Sequence, residues 1–144
     1  MGYIESNLLA GEHVVYKAHL HRIIFVKPLL VIVLGLVLLA VEPRVGGLVC
    51  LLGLIFAVPV FIRYKTSEFG ITTKRVVIKV GFIKRRTVEL LLRQIEAIAV
   101  DQSLTGRLMN FGSITLSGTG GVREAFNDIA APLDFRHQIQ SQTA

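Results

Sequence analysis

Hydrophobic positions follow two different patterns along this chain. From Ile23 to Val41 it reads IIFVKPLLVIVLGLVLLAV, with one charge, Lys27, near its start; from Val45 to Ile62 it reads VGGLVCLLGLIFAVPVFI, with none. Neither run has a polar face, so neither suits an amphipathic helix on a soluble core. As helices they extend about 27–29 Å, close to the roughly 30 Å of hydrocarbon in a bilayer. Lipid offers the backbone no hydrogen-bond partners, so two helices are the form such runs take there. Glu42-Pro43-Arg44 joins them, and a proline suits that turn because it cannot continue the first helix. The pattern predicts a two-helix transmembrane hairpin over 23–62, with spans 23–41 and 45–62. The rest of the chain has too few apolar residues to wrap a buried soluble hairpin. A cleavable signal peptide fits poorly, since the apolar run starts at residue 23 and a second follows at once. Pro28 and Pro59 are expected near helix ends. Gly35, Gly46, Gly47 and Gly53 are expected to allow close helix contact, with Gly46-Gly47 an alternative part of the turn.

Beyond residue 62 the period changes to two. Arg75–Val80 places Val76, Ile78 and Val80 on one face, and Arg86–Leu90 alternates again. Ile95–Val100 is a third strand-like run. Ser113–Ser117 sets Ile114 and Leu116 against hydroxyls, Gly118-Thr119-Gly120-Gly121 is a hairpin turn, and Val122–Ile129 returns. Asp101 or Ser103 is positioned to cap a short helical turn over 103–109. Pro132 marks a helix start, Pro132, Phe135 and Ile139 form its apolar stripe, and the tail after Gln140 is expected to fray. Before the first span, Val14, Tyr16, Ala18 and Leu20 share one side, opposite His13, Val15, Lys17, His19 and His21. Gly11–Leu20 therefore reads as a strand of the same sheet, with an amphipathic helix as its competitor. The domain organisation is an N-terminal segment 1–22, the hairpin 23–62 and a β-rich domain 63–144, with the hairpin inserted after the first strand.

Composition sharpens this. In 144 residues, 52% are hydrophobic and 18% charged, against about a quarter charged in an ordinary soluble domain. A single cysteine, Cys50, excludes an intrachain disulfide framework and a cysteine-based zinc site. Arg63 to Arg86 holds eight basic residues (Arg63, Lys65, Lys74, Arg75, Lys79, Lys84, Arg85, Arg86) and one acid, Glu68, whereas 87–144 holds four basic residues and six acids. Lys17, Arg22 and Lys27 flank the first span and Arg63 and Lys65 the second, so the positive-inside rule places both termini in the cytoplasm.

Several short motifs occur in order: Phe69-Gly70-Ile71-Thr72-Thr73-Lys74-Arg75-Val76, then Gly81, Arg85-Arg86-Thr87-Val88-Glu89-Leu90 and Ile95-Glu96. Gln102-Ser103-Leu104-Thr105-Gly106-Arg107-Leu108, Phe111-Gly112-Ser113-Ile114 and Gly118-Thr119-Gly120-Gly121 follow. With the opening Asn7-Leu8-Leu9-Ala10-Gly11-Glu12 before two spans, the chain resembles the bacterial pleckstrin-homology-like (PH-like) small membrane proteins, long regarded as a domain of unknown function. The resemblance covers nearly the whole chain. It implies a strongly bent antiparallel sheet of seven strands closed by a C-terminal helix, and a bacterial inner-membrane location, but no established activity. Ala125 departs from the pattern, where many relatives carry proline, and leaves the pairing of the last strand open.

Catalytic signals are weak. Gly118–Gly121 lacks the Gly-Lys-Ser/Thr ending of a phosphate loop and opens no helix. His13, His19 and His21 share a strand face without a carboxylate to complete a metal set. No nucleophile elbow and no paired carboxylates occur, and the spans carry no mid-membrane charge of the kind an ion-coupled transporter needs. The expected function is a non-enzymatic integral membrane protein presenting a cytoplasmic PH-like interaction domain, a scaffold or accessory subunit of a membrane complex. The alternative is an anionic-lipid-sensing module using the eight basic residues; a small channel or transporter subunit ranks below both. The expected partners are the lipid bilayer and either further copies of the chain or another membrane protein. No nucleic acid, small-molecule substrate, cofactor or metal is expected.

Overall fold

The structure, a computed structural model, describes residues 2–81 and 84–143. It divides into two compact units, Arg22–Lys65 and the chain on either side of that segment.

In the first unit a 3-10 turn, Arg22–Phe25, leads into helix α2 (Val26–Leu39), followed by α3 (Pro43–Thr66). The second helix is longer at both ends than the expected 45–62. Pro43 opens it instead of lying in the turn, because a proline at the first helical position loses no intrahelical bond. Pro59 lies inside α3, not near its end. The residues buried within the two helices are Pro28, Gly35, Gly46 and Gly53. A Cβ on Gly35 would meet the Cys50 nitrogen and Sγ at 2.6 Å, and one on Gly53 would meet Ile32 Cγ1 at 2.7 Å. The helices therefore touch through glycines, as expected, and their large side chains point away. Leu30, Leu36, Val37, Leu48, Ile55 and Val58 are each more than half exposed. Gly47 meets nothing within 4 Å and belongs to the outer face. Phe25 packs against Phe61 and Tyr64, and Lys65 lies 5.8 Å over the Phe61 ring.

The second unit is built on seven antiparallel strands. β1 (Val14–Ala18), β2 (Glu68–Thr72), β3 (Arg75–Val80) and β4 (Arg86–Leu91) form one sheet in that order; β5 (Ile95–Asp101), β6 (Phe111–Gly118) and β7 (Arg123–Ala130) form the other. The bent sheet is thus split in two at a 3-10 corner, Leu92–Gln94. It is joined again on the opposite side: Leu20 bridges to Ile129, the His21 amide donates to the Asp128 carbonyl (2.7 Å), and the Ala130 amide to the His19 carbonyl (2.9 Å). In and beside β1, His13, Val15, Lys17 and His19 are exposed while Ala18 and Leu20 are buried, the alternation expected of a strand, though the strand itself covers Val14–Ala18 and not all of Gly11–Leu20. β7 pairs with β6, Ala125 opposite Thr115, which resolves the pairing of the last strand.

The core fills the space between the sheets with Phe69, Ile71, Val76, Ile78, Ile114, Leu116, Phe126 and Ile129. Phe69 meets Phe126 edge to face at 6.1 Å. Helix α5 (Pro132–Thr143) inserts Phe135 and Ile139, both fully buried. It continues past Gln140, so the expected fraying is not seen among the described residues; the Ser141 and Thr143 hydroxyls donate to carbonyls three residues back. Helix α4 (Leu104–Met109) is capped by Ser103, whose Oγ accepts from the Gly106 amide at 3.1 Å. A four-residue helix, α1 (Tyr3–Ser6), had no counterpart in the sequence pattern. It seats Ile4 over Gly70, where a Cβ would meet Ile4 Cδ1 at 2.5 Å. The Glu68 carboxylate accepts from the Tyr3 and Ile4 amides at 2.9 and 3.1 Å.

Candidate head-group surface and a buried ion cluster

The register of the first sheet decides which basic residues belong together. β3 and β4 pair antiparallel, with Arg75 opposite Leu91 and Val80 opposite Arg86. Lys79 also lies opposite Glu68 at the start of β2, and Ala18 opposite Phe69. One end of the sheet therefore carries Lys79, Lys84, Arg85 and Arg86 together with the two points where the chain leaves for α2 and returns from α3. The other carries Lys74 and Arg75. The turn expected after Gly81 includes residues 82 and 83, which lie outside the described residues. Gly81 has φ +87°, and a Cβ there would meet the Lys84 carbonyl oxygen at 2.5 Å, so this turn needs glycine.

At the first end, Lys84 and Arg85 are exposed. The Arg86 guanidinium pairs with Glu124 of β7 and lies 5.9 Å over the Phe126 ring. Lys79 Nζ sits 5.4 Å over the Tyr3 ring. Arg63 and Lys65 occupy the last turn of α3, in the other unit. At the second end, Lys74 is exposed and its Nζ donates to the Ala10 carbonyl at 2.9 Å.

Arg75 requires a correction. Alternation put it on the outer face with Lys79, among the candidate lipid contacts, but its side chain is only 10% exposed. Its Nε donates to Glu12 Oε1 at 3.0 Å and its Nη2 to Glu12 Oε2 at 3.2 Å and the Asn7 carbonyl at 2.7 Å. Nη1 donates to Glu89 of β4, which lies opposite Val77, two residues along the ladder from Arg75. All three guanidinium nitrogens are engaged with the protein and the side chain is buried, so Arg75 is not presented to a lipid phosphate. The N-terminal segment folds over this end of the sheet and shuts Arg75 in.

Glu12 is the residue the sequence pattern did not single out. Its side chain is fully buried. Burial opposes its charge, but the Leu9 amide (2.7 Å), the Thr72 hydroxyl and the Arg75 guanidinium outweigh burial and hold the carboxyl below its ordinary value. The hydrogen bonds that Arg75 donates to Glu12, working against burial, raise Arg75 in turn. Thr72 Oγ1, whose one proton is shared between Glu12 and the Arg75 carbonyl oxygen at 3.0 Å, also accepts from the Lys74 and Arg75 amides, closing the turn between β2 and β3. A fully bonded buried cluster of this kind orders a chain segment and leaves no group free for acid–base chemistry.

Two of the grooves on this unit are lined by described residues. One, of about 470 Å³, is lined by Thr73, Lys74, Leu91, Arg93 and Gln142; the other, of about 520 Å³, by Asp101, Ser103, Phe111, Ser113 and Asp128. Neither gathers a nucleophile, a base and a buried charge. No group of three His, Cys, Asp or Glu is placed to hold a metal among the described residues. His13 and His19 face outward, whereas the His21 ring stacks on Phe111 at 5.0 Å. Gly118–Gly121 is a tight turn with Gly120 and Gly121 at positive φ, and the Gly118 amide donates to the Val122 carbonyl across it.

Comparison with known proteins bears on the fold. No curated protein matches the chain. A solved structure, that of a DUF1696 family protein with a pleckstrin-homology domain from Shewanella loihica, superposes with a TM-score of 0.50 at 8% identity, covering 95% of this chain and 86% of that one. At that identity the likeness is one of fold. The family model described as bacterial PH domain matches residues 21–143, spanning both apolar helices and all strands but β1. The chain belongs to the bacterial PH domain family.

Proposed function

We propose that this protein is a non-enzymatic integral membrane protein of the bacterial inner membrane, whose helical hairpin anchors a cytoplasmic PH-like interaction domain as a scaffold or accessory subunit of a membrane complex. One observation carries the reading. The two helices bury only glycines and a proline and leave most of their leucines, valines and isoleucines exposed. In water each large apolar side chain left exposed forgoes roughly 1.5–3 kcal/mol of burial. A lipid environment removes that cost. The small contact between the helices, made through Gly35 and Gly53, also leaves wide apolar faces for further helices, so the complex is a homo-oligomer or an assembly with another membrane protein.

The test is extraction and mass. The protein should stay with the membrane in alkaline carbonate, and in native nanodiscs its complex should exceed the 15.9 kDa of one chain by a discrete number of copies or by a co-purifying membrane protein. Release by carbonate, or a strict monomer across detergents and nanodiscs with no partner, contradicts it.

A second reading, anionic-lipid sensing, is favoured by one specific feature. Lys79, Lys84, Arg85 and Arg86 share the sheet end through which the chain joins α2 and α3. Charges held near an anionic leaflet contribute about 1 kcal/mol each, screened over about 8–10 Å of salt solution. Arg75 drops out of this set.

A further inference from the structure

Helix α4 carries the two most exposed large apolar side chains of the sheet unit among the described residues, with a third half-exposed. Leu108 is 82% exposed, Leu104 76% and Met109 49%. Six residues long, it docks on β6 through Gly106 alone, the one residue it buries. A Cβ on Gly106 would meet the Phe111 carbonyl oxygen at 2.5 Å, so the helix lies flat against the strand and turns every side chain outward. Leu104 and Leu108, four apart, share one face, and Arg107 beside them is exposed. The helix has no acidic residue.

Its place in the fold matters as much as its composition. Phe111 follows α4 directly, and its ring stacks on His21 at 5.0 Å. The His21 amide is fixed to the Asp128 carbonyl at 2.7 Å, and one residue later the chain enters the apolar hairpin segment at Arg22. The Ala131 amide donates to the Asn110 carbonyl at 3.0 Å, bringing the first turn of α5, with half-exposed Leu133, to the same end. A helix that is apolar and cationic, with no acid of its own although Asp101, Asp128 and Asp134 flank it, thus stands where the chain passes into its lipid-seeking segment.

We propose that α4 is an interfacial foot: Leu104, Leu108 and Met109 enter the head-group region of the same leaflet that the hairpin crosses, with Arg107 on anionic head groups. This rests on the membrane reading of the hairpin. A helix with an apolar face and a basic neighbour lies in the interface with its apolar side about 5–10 Å below the surface. The contact fixes the sheet unit at a second point, so the basic end formed by Lys84 and Arg85 is held in one orientation and not swung freely on its two linkers.

The experiment uses the full chain with Cys50→Ser, reconstituted in nanodiscs containing phosphatidylglycerol. Single spin labels are placed at Leu108, at Leu51 in α3 and at Gln142 near the end of α5. Collision with oxygen, which concentrates in lipid, is compared with collision with a water-soluble nickel chelate. The Leu108 label should favour oxygen and show a severalfold loss of nickel accessibility relative to Gln142. Equal nickel accessibility at Leu108 and Gln142, with Leu51 in lipid, overturns the foot and leaves the hairpin reading intact. Exclusion of both reagents at Leu108 means another protein covers α4, and also overturns it. A water-accessible Leu51 overturns both readings at once. Leu104→Asp in the Leu108-labelled chain should restore nickel accessibility severalfold; no change there also contradicts the foot.

Discussion

The two units solve opposite packing problems with similar residues. In the sheet unit Phe135, Ile139, Ile114 and Leu116 are completely buried. In the hairpin the buried positions are Pro28 and three glycines, and the leucines face out. The same side-chain chemistry is core in one and surface in the other, so composition alone does not fix the role of a residue; its neighbours and the surrounding solvent do. The charges follow the same division. Arg75 and Glu12 are shut inside the sheet unit as a bonded pair, whereas the hairpin has no Asp, Glu, Lys, Arg or His between Lys27 and Glu42 or between Arg44 and Arg63.

The largest expected effect tests that inversion directly. Phe135→Ala should cost about 3–5 kcal/mol of sheet-unit stability, whereas Leu51→Ala, at a position 54% exposed, should change the melting of the detergent-solubilised chain little. Comparable losses at both sites would mean that α3 has a protein core around it, and the comparison would fail.

Next comes the buried pair. Glu12→Gln should cost roughly 1.5–3 kcal/mol, the range for hydrogen bonds to a charged group. The pH dependence has a definite sign. The folded carboxyl of Glu12 lies below its ordinary value, so its contribution is complete above the unfolded value, near pH 4, and is lost as pH falls through the lower folded one. Denaturant titrations from pH 6 down to pH 2.5 should show this acid loss in the native chain and a smaller one in the variant. Identical slopes would remove Glu12 from the account.

Lys84→Gln with Arg85→Gln should reduce preference for anionic lipid by about 1 kcal/mol per residue. The readout is the immobilised fraction of spin-labelled phosphatidylglycerol around the full chain, against phosphatidylcholine, at low and high salt. Unchanged preference leaves the scaffold reading alone. A fragment of 63–144 is unsuitable here, because it lacks β1, which pairs with β2 and bridges to β7.

The smallest effect separates neighbouring glycines of α3. Gly47→Ala should stabilise the hairpin by about 0.5 kcal/mol, since helical glycine is disfavoured and nothing lies within 4 Å. Gly46→Ala should destabilise, because its Cβ would run into the Leu39 backbone. Effects of the same sign would place the helices further apart than described.

Much of this was legible in the sequence because solvent imposes simple periods. Uninterrupted apolar runs gave the two helices, and alternation gave β1, β3, β4 and the face of β6. β2 left no mark in the alternation of polar and apolar positions. Four of its five residues are buried, so no alternation marks it, and the α1 helix that covers Gly70 has one buried residue, Ile4. Arg75 looked like a surface charge for a related reason. Its partner Glu12 lies 63 residues earlier, across the whole hairpin, and no local spacing encodes such a pair. The lipid-facing candidates Lys84 and Arg85 were legible as charge, but their meeting with the chain junctions depends on strand register.

The proposed topology, a hairpin that crosses the bilayer once in each direction with the sheet unit inside, is open to a direct test. Single cysteines at Val41, 78% exposed in the turn between the helices, and at Gln142, in a Cys50→Ser background, test it most directly with a membrane-impermeant maleimide. In intact cells Val41→Cys should label and Gln142→Cys should not; after lysis Gln142→Cys should label fully. Labelling of Gln142→Cys in intact cells, or protection of Val41→Cys until lysis, would contradict the account.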